Sequence, residues 1–291
     1  MQARSNMSVR LLDPAAAVLG EGPLWVAEES ALYWVDIKGR RLNRFRTSDG
    51  QVLRWSMPAP LAWIVSRTNA PGFVAGLGRE IGLLKVGDGV NFAPKCEIEP
   101  EQPGNRLNDA KADQDGNIRF GTMDNSESTA SGAFYTLCSD FSLFCEDRGY
   151  VIANGPAMSP QGNVIYHTDS AARTIYRFYR QYDGHLGGRE VFVRFDEADG
   201  YPDGMTTDAQ GGLWVAHWGG GRVTRFLPDG TRERSIALPV SQVTSCAFGG
   251  AGLDRLFVTS AAIGLVDEPL AGALFEVEPG VAGLLPHRFT G

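Results

Sequence analysis

One pattern of strand-forming residues recurs six times along the chain, and it restricts the fold more than any other feature. Each copy has a turn containing glycine, a short β-branched or aromatic run, a gap of small residues and a second apolar run. Three clear copies read ALYWVDIKGRRLNRF, NVIYHTDSAARTIYRF and GLWVAHWGGGRVTRF. The copies are spaced by roughly forty to fifty residues, which is the period typical of β-propeller blades.

The composition of the chain also favours strands over helices. Runs such as LYWVDI and GLWVAHW are rich in residues that suit a pleated, half-buried surface. No long segment has the periodicity of an amphipathic helix, and 36 glycines with 16 prolines interrupt the chain too often for one. We therefore predict an all-β fold, a six-bladed β-propeller with four-stranded blades around a central channel. A sandwich or a larger barrel is the alternative, and the regular period argues against both.

The length of 291 residues is compatible with a single domain, because all-β folds of about this size often form one. We expect one propeller domain over residues 13–291, preceded by a flexible leader over residues 1–12. The sequence has neither the apolar core of a signal peptide nor the ~18 apolar residues that a membrane span needs. The four cysteines form no CxxC motif, so we expect reduced thiols and a cytoplasmic protein.

The charge balance excludes several classes of partner. Thirty-four acidic residues against 27 basic residues give a net charge of −7, and the basic residues form no cluster. Nucleic acids and acidic membrane surfaces both require a positive surface, so we expect neither as a partner. The expected partner is a small molecule, and the expected assembly is a monomer or a weak homo-oligomer.

Three oxygen-bearing side chains share the same unusual surroundings. Glu21 lies in GEGPLW, Asn154 in NGPAMS and Asp203 in YPDGM; each is followed by glycine and precedes an apolar run. Any one of these motifs alone is typical of a tight turn. Their separations are about one blade or a multiple of it. Because the inner strand of every blade begins at the same mouth of the channel, we expect the three side chains to converge there.

This trio has the composition of a cation site. Two carboxylates and one amide oxygen carry a charge of −2, which suits a divalent cation with water at the remaining positions. Without a cation, buried carboxylates would repel one another and lose hydration. We therefore predict one metal ion bound by Glu21, Asn154 and Asp203. The oxygen donors admit calcium, magnesium, manganese, iron(II) or zinc.

Six short motifs, in order along the chain, resemble those of the SMP-30/gluconolactonase/LRE-like family. They read GEGPLW, RLND, GTM, NGPAMSP, YPDGM and TSCAFGG, and the similarity runs from about Gly20 to the C-terminus. The resemblance implies a six-bladed propeller with one divalent metal in the channel, held by Glu21, Asn154 and Asp203. It also implies hydrolysis of sugar-acid lactones, among other esters.

Arg106 and Asn108 are the predicted substrate-binding residues. They are two apart in NRLND, so on an extended segment they point to the same side. An arginine and an amide beside a metal could hold the hydroxyl and carbonyl oxygens of a sugar ring, and the resemblance supports this role. Alternatively, Arg106 forms a salt bridge, either on a loop or to a metal-ligand carboxylate. Family members carry an acidic residue soon after GTM; we assign Asp124 to this role, with Glu127 as the alternative.

We predict a metal-dependent lactonase that opens an aldonolactone to the free acid. The metal would act as a Lewis acid, and Asp203 would be the general base that activates a water molecule. One alternative is a phosphotriesterase or aryl-esterase on the same metal site; another is a non-catalytic calcium-binding propeller. His167 and His217 follow strand-like runs, where a packed histidine is more typical than a catalytic one.

Overall fold

The computed structural model describes residues 9–291. Within this range, 24 β-strands form six four-stranded antiparallel sheets. Helical structure in the same residues is limited to two 3-10 turns, Ala27–Glu29 and Glu197–Asp199. The predicted all-β, six-bladed propeller is therefore confirmed. No helix in residues 9–291 is long and apolar enough to cross a membrane.

Strand β1 (Val9–Asp13) is the outermost strand of the last blade, and the other strands follow in chain order from the channel outward. Blade 1 comprises β2 (Gly20–Val26), β3 (Ala31–Asp36), β4 (Arg41–Arg46) and β5 (Val52–Ser56). Blade 2 comprises β6 (Leu61–Ser66), β7 (Phe73–Leu77), β8 (Glu80–Val86) and β9 (Val90–Glu97). Blade 3 comprises β10 (Asn105–Ala112), β11 (Ile118–Asp124), β12 (Gly132–Leu137) and β13 (Leu143–Tyr150).

The second half of the ring repeats this arrangement. Blade 4 comprises β14 (Ala153–Met158), β15 (Val164–Asp169), β16 (Thr174–Tyr179) and β17 (Glu190–Arg194). Blade 5 comprises β18 (Tyr201–Thr207), β19 (Leu213–Trp218), β20 (Arg222–Phe226) and β21 (Arg232–Ala237). Blade 6 comprises β22 (Val243–Gly249), β23 (Arg255–Ser260), β24 (Leu274–Val277) and, from the start of the chain, β1.

The ring is closed by pairing of the two ends of the propeller. Strand β1 runs antiparallel to β24, with Val9 opposite Val277, and inner strand β22 contacts inner strand β2. Residues 9–12, which the sequence assigned to a leader, are thus part of the last blade. Residues 1–8 of the expected leader lie outside the described residues.

Apolar side chains fill the seams between neighbouring blades. At the seam of blades 2 and 3, the Trp63 and Phe120 ring centroids lie 6.1 Å apart. Where blade 6 meets blade 1, Trp25 stacks on Phe257 at 5.7 Å. Burying an aromatic side chain of this kind contributes about 1.5–3 kcal/mol. This packing fixes how each inner strand is placed relative to its neighbours.

The inner strands share an irregularity close to the mouth of the channel. The ladder between the first two strands shifts register between Glu21 and Leu24 in blade 1 and between Asn154 and Ala157 in blade 4. Blade 5 shows the same shift between Pro202 and Met205. A bulge of this kind bends the strand and redirects its side chains. The bulges lie where the sequence predicted converging oxygen donors.

Candidate active site

A cavity of about 470 Å³ lies at the end of the channel where the inner strands begin. Its volume is within the range of about 300–1,000 Å³ that is typical of small-molecule sites. Its polar lining consists of Glu21, Lys38, Arg106, Asn108, Glu127, Asn154, Ser170, Tyr201 and Asp203. The structure therefore places all three predicted metal ligands, and both predicted substrate-binding residues of the Arg-x-Asn motif, on one cavity.

Glycine residues allow the backbone to carry these donors at the bulges. Gly155, which follows Asn154, has a φ of +75°, a left-handed backbone conformation that residues other than glycine rarely adopt. Gly204, which follows Asp203, packs against the next blade: a Cβ atom there would lie 2.2 Å from Ser245 Oγ. Gly22, which follows Glu21, has a φ of +52°, so the glycine after each donor has a steric or conformational reason.

The amide of Asn154 is oriented by two hydrogen bonds. Its Nδ2 donates to Asp203 Oδ1 at 2.6 Å and to Ser170 Oγ at 3.1 Å. Because both bonds use the nitrogen, the amide oxygen faces away from these partners. Asn154 Oδ1 is buried and accepts no hydrogen bond from residues 9–291. A buried amide oxygen without a donor is costly unless another group, such as a cation, contacts it.

The two carboxylates are buried in a way that disfavours their charged forms. Burial raises the pKa of the Glu21 carboxyl well above its ordinary value, and the nearby charges of Asp203 and Asp109 raise it further. Burial likewise raises the pKa of Asp203, again with a contribution from Asp109, whereas the positive charge of Arg106 acts in the opposite direction. A bound cation would offset this repulsion directly.

The donor set fits a hard divalent cation. No group of three or more His, Cys, Asp or Glu side chains in the described part of the chain is arranged to hold a metal, so a cation site here needs a further oxygen donor, such as an amide oxygen. Asn154 Oδ1 meets that requirement, because it is buried without a donor beside two carboxylates. Carboxylate and amide oxygens are ligands typical of calcium, magnesium and manganese.

Arg106 and Asn108 are tied to one another beside these carboxylates. Arg106 Nη1 donates to Asn108 Oδ1 at 2.7 Å and to Leu107 O at 3.0 Å. Among residues 9–291, no carboxylate lies within ion-pair distance of the Arg106 guanidinium, so the alternative of a salt-bridged arginine is not what the structure contains. Arg106 is half-buried, and the loss of hydration around its guanidinium lowers its pKa.

Comparison with known proteins now identifies the family. The SMP-30/gluconolactonase/LRE-like region matches residues 19–262. The chain belongs to this family. L-arabinolactonase from Azospirillum brasilense is 37% identical over 292 residues, covering 97% of this chain and 95% of that protein. Pentonolactonase from Haloferax volcanii is 34% identical, covering 95% of this chain and 96% of that protein.

A solved structure extends the family comparison to the fold. Regucalcin from Agrobacterium tumefaciens, a calcium-binding protein, superimposes with a TM-score of 0.88 at 26% identity, covering 98% of each chain. The resemblance predicted from the six motifs is therefore confirmed over nearly the whole propeller.

Of the two acidic residues that follow GTM, Glu127 rather than Asp124 lies beside the cavity. Asp124 is absent from the cavity lining, and its carboxylate instead accepts hydrogen bonds within its own loop from Ser126, Ser128 and Thr129. These bonds, led by that of the Ser126 hydroxyl, hold the pKa of Asp124 below its usual range. Glu127 lies on the cavity wall. We therefore correct the assignment: within this family member, Asp124 organises the loop and Glu127 is the group beside the cavity.

The two histidines are packing residues outside the cavity. His167 stacks on Phe134 with a centroid distance of 3.8 Å, and burial lowers the pKa of its imidazole to about 3. His217 Nδ1 donates to Asp199 O at 2.8 Å, and burial lowers its pKa to about 4. Both rings are therefore neutral near pH 7 and lie in blade seams. Of the tryptophans, Trp218 lines the cavity.

Sequence reasoning did not single out Asp109. It lies in the bulge of β10, is 4% exposed, and accepts the Ala110 N–H through Oδ1 at 2.7 Å. Its Oδ2 has no hydrogen-bond partner in residues 9–291. Its charge raises the pKa of both Glu21 and Asp203. The available signal was its position directly after Asn108 in the RLND motif, but the alternation of side chains along a strand marked only Arg106 and Asn108 as facing one side.

Proposed function

We propose that the protein is a divalent-cation-dependent lactonase that hydrolyses aldonolactones to the free sugar acids. The observation that carries the proposal is the convergence of two buried carboxylates, Glu21 and Asp203, with the unpartnered Asn154 Oδ1 on one cavity. Arg106 and Asn108 on the same wall supply groups suited to a polyhydroxylated ring. Relatives named for arabinonolactone and pentonolactone hydrolysis support a five-carbon substrate.

The ion would be held by the carboxylates of Glu21 and Asp203 and by Asn154 Oδ1. When bound, a divalent cation polarises a carbonyl oxygen and lowers the pKa of nearby water. Glu21 and Asn154 serve mainly to hold it. The amide nitrogen of Asn154 keeps Asp203 in place through its bond to Oδ1.

Asp203 is the proposed general base. Its carboxylate accepts a proton from the attacking water, whose oxygen bonds to the lactone carbonyl carbon. The bond between that carbon and the ring oxygen then breaks, and Asp203 returns the proton to the departing oxygen. The products are a hydroxyl and a carboxylic acid, which ionises in solution. Base catalysis of this type contributes about 10²–10⁴-fold to the rate.

Arg106, Asn108 and Glu127 orient the substrate in this scheme. Arg106 is held by Asn108 and by the carbonyl of Leu107, so its remaining N–H groups are fixed when the sugar enters. Those donors suit the hydroxyl and carbonyl oxygens of the lactone, and the Glu127 carboxylate suits its hydroxyl hydrogens. Fixing the ring relative to Asp203 lowers the entropic part of the barrier.

The proposal is tested by metal-stripped protein and a panel of arabinono-, xylono-, glucono- and galactonolactones, with acid release followed as single cations are added back. We expect no hydrolysis without a cation and recovery with at least one. Full activity in the presence of chelator would contradict the metal dependence. Cation binding without hydrolysis of any lactone would favour the non-catalytic calcium-binding alternative. Cleavage of aryl esters or phosphotriesters faster than of any lactone would favour the phosphotriesterase or aryl-esterase alternative.

A further inference from the structure

The peptide carbonyl that precedes each proposed cation ligand is held by a side chain from the preceding blade of the ring. The three bonds are Asn108 Nδ2 to Ala153 O at 2.8 Å, Ser170 Oγ to Pro202 O at 2.6 Å, and Thr244 Oγ1 to Gly20 O at 2.5 Å. The accepting residues come directly before Asn154, Asp203 and Glu21. All three proposed ligands therefore have the same kind of support.

These bonds cross the blade seams. Asn108 lies on β10 and reaches blade 4; Ser170 follows β15 and reaches blade 5. Thr244 lies on β22 and reaches blade 1, where the ring closes. The donors are 7%, 5% and 0% exposed, so water does not compete for them. Each bond thus fixes the ligand-bearing strand of one blade to the blade before it.

The bulges explain why such support matters. Directly after Glu21, Asn154 and Pro202 the ladder shifts register, so the sheet holds the backbone less firmly there. A side chain that holds the preceding carbonyl orients the peptide plane leading into the ligand. Ser170 does more, because its Oγ also accepts from Asn154 Nδ2 at 3.1 Å. One hydroxyl therefore orients Asn154 directly and Asp203 through Pro202.

We propose that Ser170 and Thr244 are positioning residues of the cation site. The inference rests on the proposed function, since it concerns the site formed by Glu21, Asn154 and Asp203. In this role the two hydroxyls would hold the backbone and the amide that present the ligands of the ion. Loss of an outer partner of this kind typically weakens metal binding by about 10–100-fold.

Thr244 offers a matched pair of variants. Thr244→Val keeps the shape of the side chain and removes the hydroxyl, whereas Thr244→Ser keeps the hydroxyl and removes a methyl group. We expect the calcium dissociation constant of metal-stripped protein, measured by titration calorimetry, to rise about tenfold in Thr244→Val and Ser170→Ala. Thr244→Ser should bind calcium as the parent protein does.

Thr168→Val is the control. Thr168 pairs with Asn154 in the ladder and is fully buried, and its hydroxyl has no hydrogen-bond partner in residues 9–291. Removing that hydroxyl should leave calcium affinity unchanged. Thermal unfolding in chelator, recorded for every variant, separates a loss of folding from a loss of affinity, because all four variants should unfold cooperatively.

The outcomes separate the inference from the proposed function. If the parent protein binds calcium but Thr244→Val and Ser170→Ala bind it as tightly as Thr168→Val, the positioning role is wrong and the proposed function stands. An equal loss in Thr244→Ser and Thr244→Val would also overturn it, because packing rather than the hydroxyl would then matter. If the parent binds none of calcium, magnesium, manganese, iron(II) and zinc, the proposed function fails and the inference fails with it.

Discussion

The two ends of the central channel are built from the same inner strands, yet they present different sets of side chains. At the end where the strands begin, the cavity is lined by Glu21, Arg106, Asn154 and Asp203. Further along the same strands, a smaller cavity of about 90 Å³ is lined mainly by apolar groups, among them Leu24, Trp63, Met158 and Phe248. We call the first the polar end and the second, whose lining also includes Asp109 and Lys111, the apolar end.

The bulges divide the two ends. On β2, Glu21 faces the polar cavity and Gly22 to Leu24 line the apolar one. On β10, Asn108 and Asp109 are adjacent in the same bulge but line different cavities. A change of one residue in strand register reverses the face of a side chain. A bulge thus allows one strand to present a ligand at one end and core residues at the other.

The apolar end is covered by the last part of the chain. Leu284 to His287 line the smaller cavity. On either side of them, Gly283 forms an isolated backbone β-bridge with Asp208 of blade 5, and Phe289 forms one with Arg67 of blade 2. The segment therefore runs across this end and joins blades that are not neighbours. We therefore expect the proposed chemistry at the polar end and a structural role for the other end.

The largest expected effect is the loss of turnover at the polar end. Asp203→Asn removes the proposed base and one charge of the cation site, so kcat for lactone hydrolysis should fall by at least about 100-fold. The midpoint of thermal unfolding in chelator should not fall, because the amide carries no charge to be buried. Parent-like turnover, measured by acid release, would end the assignment of Asp203.

A substitution at the apolar end should lower the stability of the fold and leave turnover unchanged. Phe248→Ala empties part of a seam in which Phe248 is 3% exposed, so the free energy of unfolding in urea should fall by about 3–5 kcal/mol. The kcat/KM of the folded enzyme should stay at the parent value. Leu285→Ala is the control: this residue is 57% exposed in the same region, and its change should cost no more than about 0.5 kcal/mol. A loss of kcat/KM in stable Phe248→Ala would show that the two ends are coupled.

The smallest expected effect is a change in KM that distinguishes the two acidic residues after GTM, Glu127 and Asp124. Glu127→Gln should raise the KM for the lactone about tenfold, which corresponds to one hydrogen bond to a charged group. Asp124→Asn weakens only the bonds within its loop, so its KM should rise less than that of Glu127→Gln. The measurement is a pair of substrate-saturation curves. A larger rise in Asp124→Asn would restore the original assignment of Asp124 to the substrate.

The sequence by itself determined the blade architecture and the positions of the proposed ligands. Both follow from local information: strand periodicity repeats with each blade, and a donor followed by glycine marks the start of an inner strand. Glu21, Asn154 and Asp203 could therefore be placed on one cavity before the structure was known. The pairing of Val9–Asp13 into the last blade could not, because it depends on ring closure.

Tertiary structure decided everything that depends on which blades meet. Thr244 and Gly20 are 224 residues apart, and their hydrogen bond exists because blade 6 lies against blade 1. The choice between Asp124 and Glu127, and the direction of Asp109, depend on loop hydrogen bonds and on a bulge. No periodicity in the chain encodes these features. They are set by packing between segments that only the closed ring brings into contact.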